Sequence, residues 1–328
     1  MTLDEPDAVT SAERPGIDPI LKALLDAVPL EFTIDDGVEV ARAKIAAVRP
    51  PAAMLPDLRI ENRILDCGDA GQIPARIYWP PIDGETRPLP VVVFYHGGGW
   101  AIGDLDSHDH VARAHAVGAR AIVVSVDYRL APEHPFPAGI EDSWAALQWV
   151  GAHAAELGGD PTRLAVAGDS AGGNISAVMA QRARDTAGPA LAFQLLWYPA
   201  TTGDVTLPSF TENADAPMLN SNVTAAFLSW YLPGMDISDA STLPTELAPA
   251  NAESLAGLPP AYIGTAEHDP LRDDGAHYAK LLAAAGVPVE LSNEPTMVHG
   301  FVSLALASPV ATEATNRGLA ALKAALYA

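Results

Sequence analysis

The chain has a single cysteine, Cys67, among 328 residues. No intrachain disulfide can form, and a zinc site built from several thiolates is excluded. Positive charge is scarce too: 19 Lys and Arg stand against 41 Asp and Glu, a formal net charge of −22. That balance argues against nucleic acid and anionic membrane as partners. No apolar run approaches the ~18 residues of a membrane-spanning helix. The acidic opening MTLDEPDAVTSAERPG lacks the basic and apolar regions of a signal peptide, so a cytoplasmic location is expected. Internal repeats and low-complexity tracts are also missing. Hydrophobic residues make up 49% of the chain and charged residues 18%, which excludes disorder. What remains is a globular protein long enough to bury a sizeable core.

Short β-branched runs alternate with longer helical patterns. Strands are expected over 58–66, 73–79, 90–96, 121–127, 163–168, 192–198, 261–266 and 287–293. Helices are expected over about 105–117, 138–157, 171–186, 271–285 and 309–327. Gly118, Gly158 and Gly286 read as helix stops, and Ser308 with Pro309 as a cap and first turn. Strands separated by helices imply right-handed crossovers, hence an α/β fold with a mostly parallel eight-stranded sheet covered on both faces. The first two strands are joined only by CGDAGQ, too short for a crossover, so they should pair as an antiparallel hairpin at one edge.

Two stretches break this rhythm. Residues 1–50 hold the helical patterns PILKALLDAV and VEVARAKIAAV without a strand, and 201–240 is rich in Pro, Asn and Asp around one amphipathic piece, NVTAAFLSWYL. Both are expected to roof one end of the sheet. The organisation is then a first cap part (1–50), a first core part (51–200), a second cap segment (201–240) and the rest of the core (241–328).

Three consecutive glycines, Gly97, Gly98 and Gly99, follow the strand LPVVVF and His96. They pack nothing and weaken any regular element, so they call for another reason. A second motif, Gly168-Asp169-Ser170-Ala171-Gly172, lies between a strand and a helix. In a G-x-S-x-G elbow the serine is lifted above the sheet, and the helix N-terminus faces whatever charge forms there. Chance gives roughly 0.09 such matches in a chain of this composition and roughly 0.004 for HGGG, so their joint occurrence after strands is informative. Acyl transfer builds negative charge on a carbonyl oxygen, and bare backbone N–H groups can approach it if no side chain intervenes. The expected donors are the N–H groups of Gly98, Gly99 and Ala171, with His96 bracing the loop.

A serine hydroxyl needs a base, and the base needs an orienting carboxylate. On such sheets these follow in the order Ser, acid, His. Asp269, in the loop EHDPLRDD, is the expected acid, with Glu267 as competitor and Asp273 and Asp274 assigned to the first turn of the next helix. His299 in EPTMVHGF is the expected base, since it is the only histidine after the last strand. His268 and His277 read as surface residues.

HGGGW, VDYRLAPEHPFPA (126–138), GDSAGGN (168–174), DPLRDDG (269–275) and VHGF (298–301) together resemble the bacterial hormone-sensitive-lipase family of α/β-hydrolase carboxylesterases. The resemblance covers about residues 58–328 and keeps the motif order. It implies a serine esterase without a cofactor, acting on small-molecule carboxylic esters through Ser170, Asp269 and His299. It supports Gly98, Gly99 and Ala171 as the oxyanion hole, and suggests that Asp127, Arg129 and Glu133 brace the loops. Short acyl chains are expected, because short cap helices would close a pocket without leaving a long trough. An amidase or lactonase would use the same triad. A small-molecule binding protein on the same scaffold is the non-catalytic alternative, and His299 speaks against it.

Other constellations are weaker. His108, His110 and His115 include an H-x-H pair, yet no ligand stands at zinc spacing, and no metal is expected. The G-x-G-x-x-G spacing of a dinucleotide site fails at Ile102. Trp100, Phe227, Trp230 and Tyr231 are candidates to line an acyl pocket, with core packing the equal alternative. The oligomeric state is open, a homodimer being one expectation.

Overall fold

The computed structural model describes residues 14–28, 31–81 and 88–328. Residues 1–13 and 29–30 of the expected first cap part lie outside the described residues. Among the described residues eight strands form one sheet: β1 (Arg59–Asp66), β2 (Gln72–Trp79), β3 (Leu89–Tyr95), β4 (Ile122–Val126), β5 (Gly159–Asp169), β6 (Leu191–Trp197), β7 (Ala261–His268) and β8 (Val289–Val298). Their order across the sheet is β1-β2-β4-β3-β5-β6-β7-β8. β1 and β2 form the edge hairpin, with Asp66 opposite Gln72, and β2 is also antiparallel to β4. All other neighbours are parallel.

The central strands read as unbroken apolar runs because both faces are covered. Every residue of β3 and β4 is buried. Alternation divides them between two cores. Val91, Val93 and Tyr95 face the layer of α4 (Ala138–His153) and α5 (Ala171–Asp185), with Ile140, Leu147 and Ile175. Val92 and Phe94 face α3 (Asp109–Ala119) and α9 (Pro309–Leu326), with Val111, Leu319 and Leu322. Each such side chain contributes about 1.5–3 kcal/mol on burial. α8 (Arg272–Ala284) connects β7 to β8. Ser308 caps α9 by accepting the Ala311 N–H, with Pro309 in its first turn.

One expected helix stop is corrected. Gly118 lies inside α3, which ends at Arg120 in the left-handed conformation. Its glycine serves packing: a Cβ there would stand 2.7 Å from Leu319 Cδ1 of α9. The remaining helices lie at the carboxyl end of the sheet: α1 (Pro19–Ala27), α2 (Val38–Ala47), α6 (Pro208–Glu212) and α7 (Ser221–Tyr231). α6 was not anticipated, since five residues are too few for a periodic signal.

His115 ties α3 to the sheet. Trp197 Nε1–H on β6 donates to His115 Nε2 at 3.0 Å, so the ring proton sits on Nδ1 and goes to the Val111 carbonyl at 2.8 Å. Burial lowers its pKa from 6.5 to about 4. The unfolded imidazole therefore takes up a proton near pH 6.5 while the folded one stays neutral. Stability is intact above that pH and is lost as pH falls towards 4, by about 1.4 kcal/mol per pH unit. His115→Gln keeps an acceptor for Trp197 without a titration. Its unfolding free energy, measured by denaturant titration, should therefore fall less steeply between pH 6.5 and 4 by about that slope. Parallel profiles for the two proteins would refute this.

Candidate active site

β5 ends at Asp169 and α5 begins at Ala171, leaving Ser170 between them at φ 56° and ψ −116°. Such a conformation costs a residue with a Cβ about 1–3 kcal/mol and persists only where neighbours enforce it. Here the Ser170 N–H donates to the Trp197 carbonyl at 2.8 Å, and the Ser170 carbonyl accepts the Asn174 N–H at 3.0 Å. The turn also requires bare backbone. A Cβ on Gly172 would stand 1.9 Å from the Tyr95 carbonyl oxygen, and one on Gly168 2.2 Å from the Gly172 oxygen.

Ser170 Oγ lies 2.9 Å from His299 Nε2, and His299 Nδ1 lies 2.8 Å from Asp269 Oδ2. The three side chains follow β5, β7 and β8, and so meet at one end of the sheet. Asp269 is fully buried, and its second oxygen accepts the Leu271 N–H at 2.8 Å. Glu267, the competing acid, instead pairs with Arg14 at 3.1 Å and Arg272 at 2.9 Å. Asp273 and Asp274 occupy the first turn of α8. Asp274 is buried and accepts from the backbone and hydroxyls of Thr201 and Thr202. His277 is exposed, and His268 bonds the Pro15 carbonyl.

The glycine loop crosses directly beside the elbow. Gly98 has φ 115°, and a Cβ on it would stand 2.2 Å from the Ile102 carbonyl oxygen. The Gly97 N–H donates to Asp169 Oδ1 at 2.9 Å. Asp169 was not singled out in the sequence, although it lies inside the serine motif. Burial acts to raise its pKa, but His108, His96 and the Gly97 N–H together hold it below the usual carboxylate value. His108 Nε2 is 3.6 Å from its other oxygen. His96 bonds the Gly97 carbonyl through Nδ1 at 2.8 Å and stacks on Tyr128 at 4.4 Å; burial lowers its pKa to about 4, so it is neutral at pH 7.

Long-range partners fasten the surrounding loops. Arg129 holds Asp142 through three bonds of 2.7–3.1 Å, and Glu133 pairs with Arg42 of α2 at 2.7 and 2.8 Å. Arg42 also donates to the Ala101 and Ala131 carbonyls at 3.0 Å, joining α2 to the glycine loop. Asp127 is raised to about 6, chiefly by burial and next by Asp104. Asn213 donates to the Asp269 carbonyl at 3.0 Å. Arg42 and Asn213 carried no local sequence signal.

Among the described residues two cavities flank Ser170. The larger, about 570 Å³, is lined by Gly98, Gly99, His299 and apolar side chains such as Leu25, Phe32 and Val223. The smaller, about 80 Å³, is lined by Trp100, Ala171 and apolar side chains that include Phe227 and Leu243. Of the four expected pocket aromatics, Trp100 and Phe227 are therefore at cavity walls. Trp230 and Tyr231 are not. Trp230 is buried against Phe32, ring centroids 5.9 Å apart, and Tyr231 stacks behind Trp100 at 4.4 Å, because this face of α7 packs onto the core. The three clustered histidines also diverge: His108 turns to Asp169, His110 to the Ser303 carbonyl and His115 to Trp197. Among the described residues no group of three or more His, Cys, Asp or Glu could hold a metal ion, and no helix is long and apolar enough to cross a membrane.

The fold and this site define an α/β hydrolase. The α/β-hydrolase-fold family matches residues 92–303, and the chain belongs to that family, in its hormone-sensitive-lipase-like branch. It is 70% identical over 315 residues to carboxylesterase NlhH of Mycobacterium tuberculosis, covering 96% of this chain and 98% of that protein. Esterase LipI of the same organism is 56% identical, covering 97% and 98% of the two chains. Among solved structures, a hyperthermophilic esterase from the archaeon Pyrobaculum calidifontis superposes with a TM-score of 0.82 at 38% identity, covering 94% of this chain and 99% of that one.

Asp169→Ala should cost about 1–3 kcal/mol of stability, because the Gly97 N–H is left buried without an acceptor. Asp169→Asn keeps an amide oxygen there and should cost less. Denaturant midpoints with unchanged slopes would measure both. Equal losses would show that the charge facing His108 matters more than the bond to Gly97.

Proposed function

We propose that this protein is a serine carboxylesterase with Ser170 as nucleophile, His299 as general base and acid, and Asp269 as the orienting carboxylate. The observation that carries this reading is the continuous chain of contacts, 2.9 Å from serine oxygen to imidazole and 2.8 Å from imidazole to a fully buried carboxylate. Family membership and the 70% identity to a carboxylesterase support it.

The chemistry balances with water alone. Ser170 Oγ adds to the ester carbonyl carbon as its proton passes to His299 Nε2. The carbonyl oxygen becomes an oxyanion, met by the N–H groups of Gly98, Gly99 and Ala171; each such donor is worth about 2.7–4 kcal/mol in the transition state. Asp269 keeps the other imidazole proton on Nδ1 and stabilises the imidazolium. Collapse breaks the ester C–O bond, and the leaving oxygen takes the Nε2 proton and departs as alcohol. Water then gives a proton to Nε2 and attacks the acyl-enzyme. The second collapse returns that proton to Ser170 and releases the carboxylic acid.

The described residues of 1–50, together with 201–240, act as a two-part cap over this chemistry, a reading supported by Leu24, Leu25 and Phe32 from one part and Met218, Leu219 and Phe227 from the other at the cavity walls. The substrates are small-molecule esters with short acyl chains. An amidase or lactonase differs only in the leaving group, which the triad does not specify.

Ser170→Ala should lower turnover of p-nitrophenyl esters by about 10⁴ or more while leaving the fold intact. A serine-directed organophosphate should add its mass to the peptide that holds Ser170. Full activity of the alanine variant, or labelling elsewhere, would remove Ser170 from its role. Faster turnover of matched amides or lactones than of esters would reassign the reaction.

A further inference from the structure

The two cavities beside Ser170 are unequal, and only one of them contains the base. Four residues border both: Gly99, Ser170, Leu219 and Phe227. His299 and Gly300 line only the larger, of about 570 Å³, whereas Ala171 and Trp100 line only the smaller, of about 80 Å³. We propose that the ester lies across Ser170 in one direction, acyl chain in the small cavity and alcohol in the large one, with Phe227 as the partition that enforces it. The substrate class is then esters of small carboxylic acids with bulky, apolar alcohols. This assignment rests on the serine-esterase reading above.

The direction follows from proton transfer. The leaving oxygen must take its proton from His299 Nε2, so the alcohol has to depart on the side that His299 lines. The water of the second step must give its proton to the same nitrogen, so it enters where the alcohol left. The acyl group stays on Ser170 through both events and belongs in the cavity that neither uses. The large cavity has a solvent-exposed apolar rim, Val28 at 41%, Met54 at 55% and Leu306 at 44% exposure. The small one is lined largely by buried side chains such as Leu232, Leu243, Leu247 and Leu271, with Gly203 and Val205 exposed at its outer edge.

Size sets the limit. An apolar cavity of about 150 Å³ accommodates benzene, so 80 Å³ corresponds to an acyl tail of about three or four carbons. The expectation of one short pocket thus becomes a short acyl pocket beside a roomy alcohol site. Phe227 keeps the two apart. Its ring lies on Gly99 so closely that a Cβ there would be 2.1 Å from Phe227 Cγ. Phe32 meets the ring edge-on at 5.4 Å, and Trp230 stands 6.2 Å away, so it cannot readily swing aside.

Octyl acetate and ethyl octanoate test the proposal directly, because they are isomers with the same apolar content and similar leaving-group chemistry. The intact protein should hydrolyse octyl acetate with a kcat/KM at least about 30-fold higher, the octanoyl chain being excluded from the small cavity. Phe227→Ala should reduce that ratio at least about tenfold by joining the cavities. Phe227→Leu, which keeps apolar bulk, should give an intermediate ratio and serves as the second variant if the alanine protein does not fold. Equal rates for the isomers, or faster ethyl octanoate, would overturn the direction. A ratio unchanged in both variants would remove Phe227 as the partition. p-Nitrophenyl acetate separates this from the parent reading: no Ser170-dependent hydrolysis of it sinks the esterase assignment, whereas hydrolysis with a reversed isomer preference sinks only the orientation.

Discussion

The structure turns on the close crossing of α5 over the end of β3, where the Gly172 backbone lies against the Tyr95 carbonyl with no room for a Cβ. That crossing bends the chain so sharply that Ser170 is held at positive φ. The strain is balanced by the parallel sheet, whose central strands are buried along their whole length. It also brings the glycine loop after β3 beside the first turn of α5, so the bare glycine backbone and the serine hydroxyl lie at the ends of adjacent strands. A looser crossing would separate them.

Electrostatics around the elbow are arranged by burial. Asp169 and Asp269 are both buried carboxylates with backbone N–H partners, from Gly97 and Leu271. One faces the glycine loop and the other faces His299, so consecutive demands on position are met by separate charges. Three other histidines, His96, His110 and His115, are pushed down to about 4 by burial and remain neutral.

The segments outside the sheet rhythm are fastened to the loops beside them. Arg42 reaches from α2 to the Ala101 carbonyl and Glu133, while Thr201, Thr202, Ser209 and Asn213 bond the chain around Asp269 and Asp274. Such links make the cavity walls continuous with the site and not merely draped over it. Phe32 and Phe227, from the two segments, meet edge to face above Gly99.

How much of this was legible beforehand follows from the range of each interaction. Eight apolar runs read as strands because burial on two faces leaves a local signature. The glycine run and the serine elbow were readable for the same reason: steric exclusion of Cβ acts within a few residues. The expected order of serine, acid and histidine came from the pattern of such elbow folds, with each residue type sought in a loop after a later strand. By contrast, the place of Trp230 and Tyr231 behind the pocket, the inclusion of Gly118 in α3, and the ties made by Arg42, Asn213 and Asp169 depend on partners distant in sequence. The division of the space beside Ser170 into two unequal cavities belongs to this second group. A helix pattern tells which face is apolar, but cavity volume is what remains after every facing side chain has found its neighbour, so only the tertiary structure decides it.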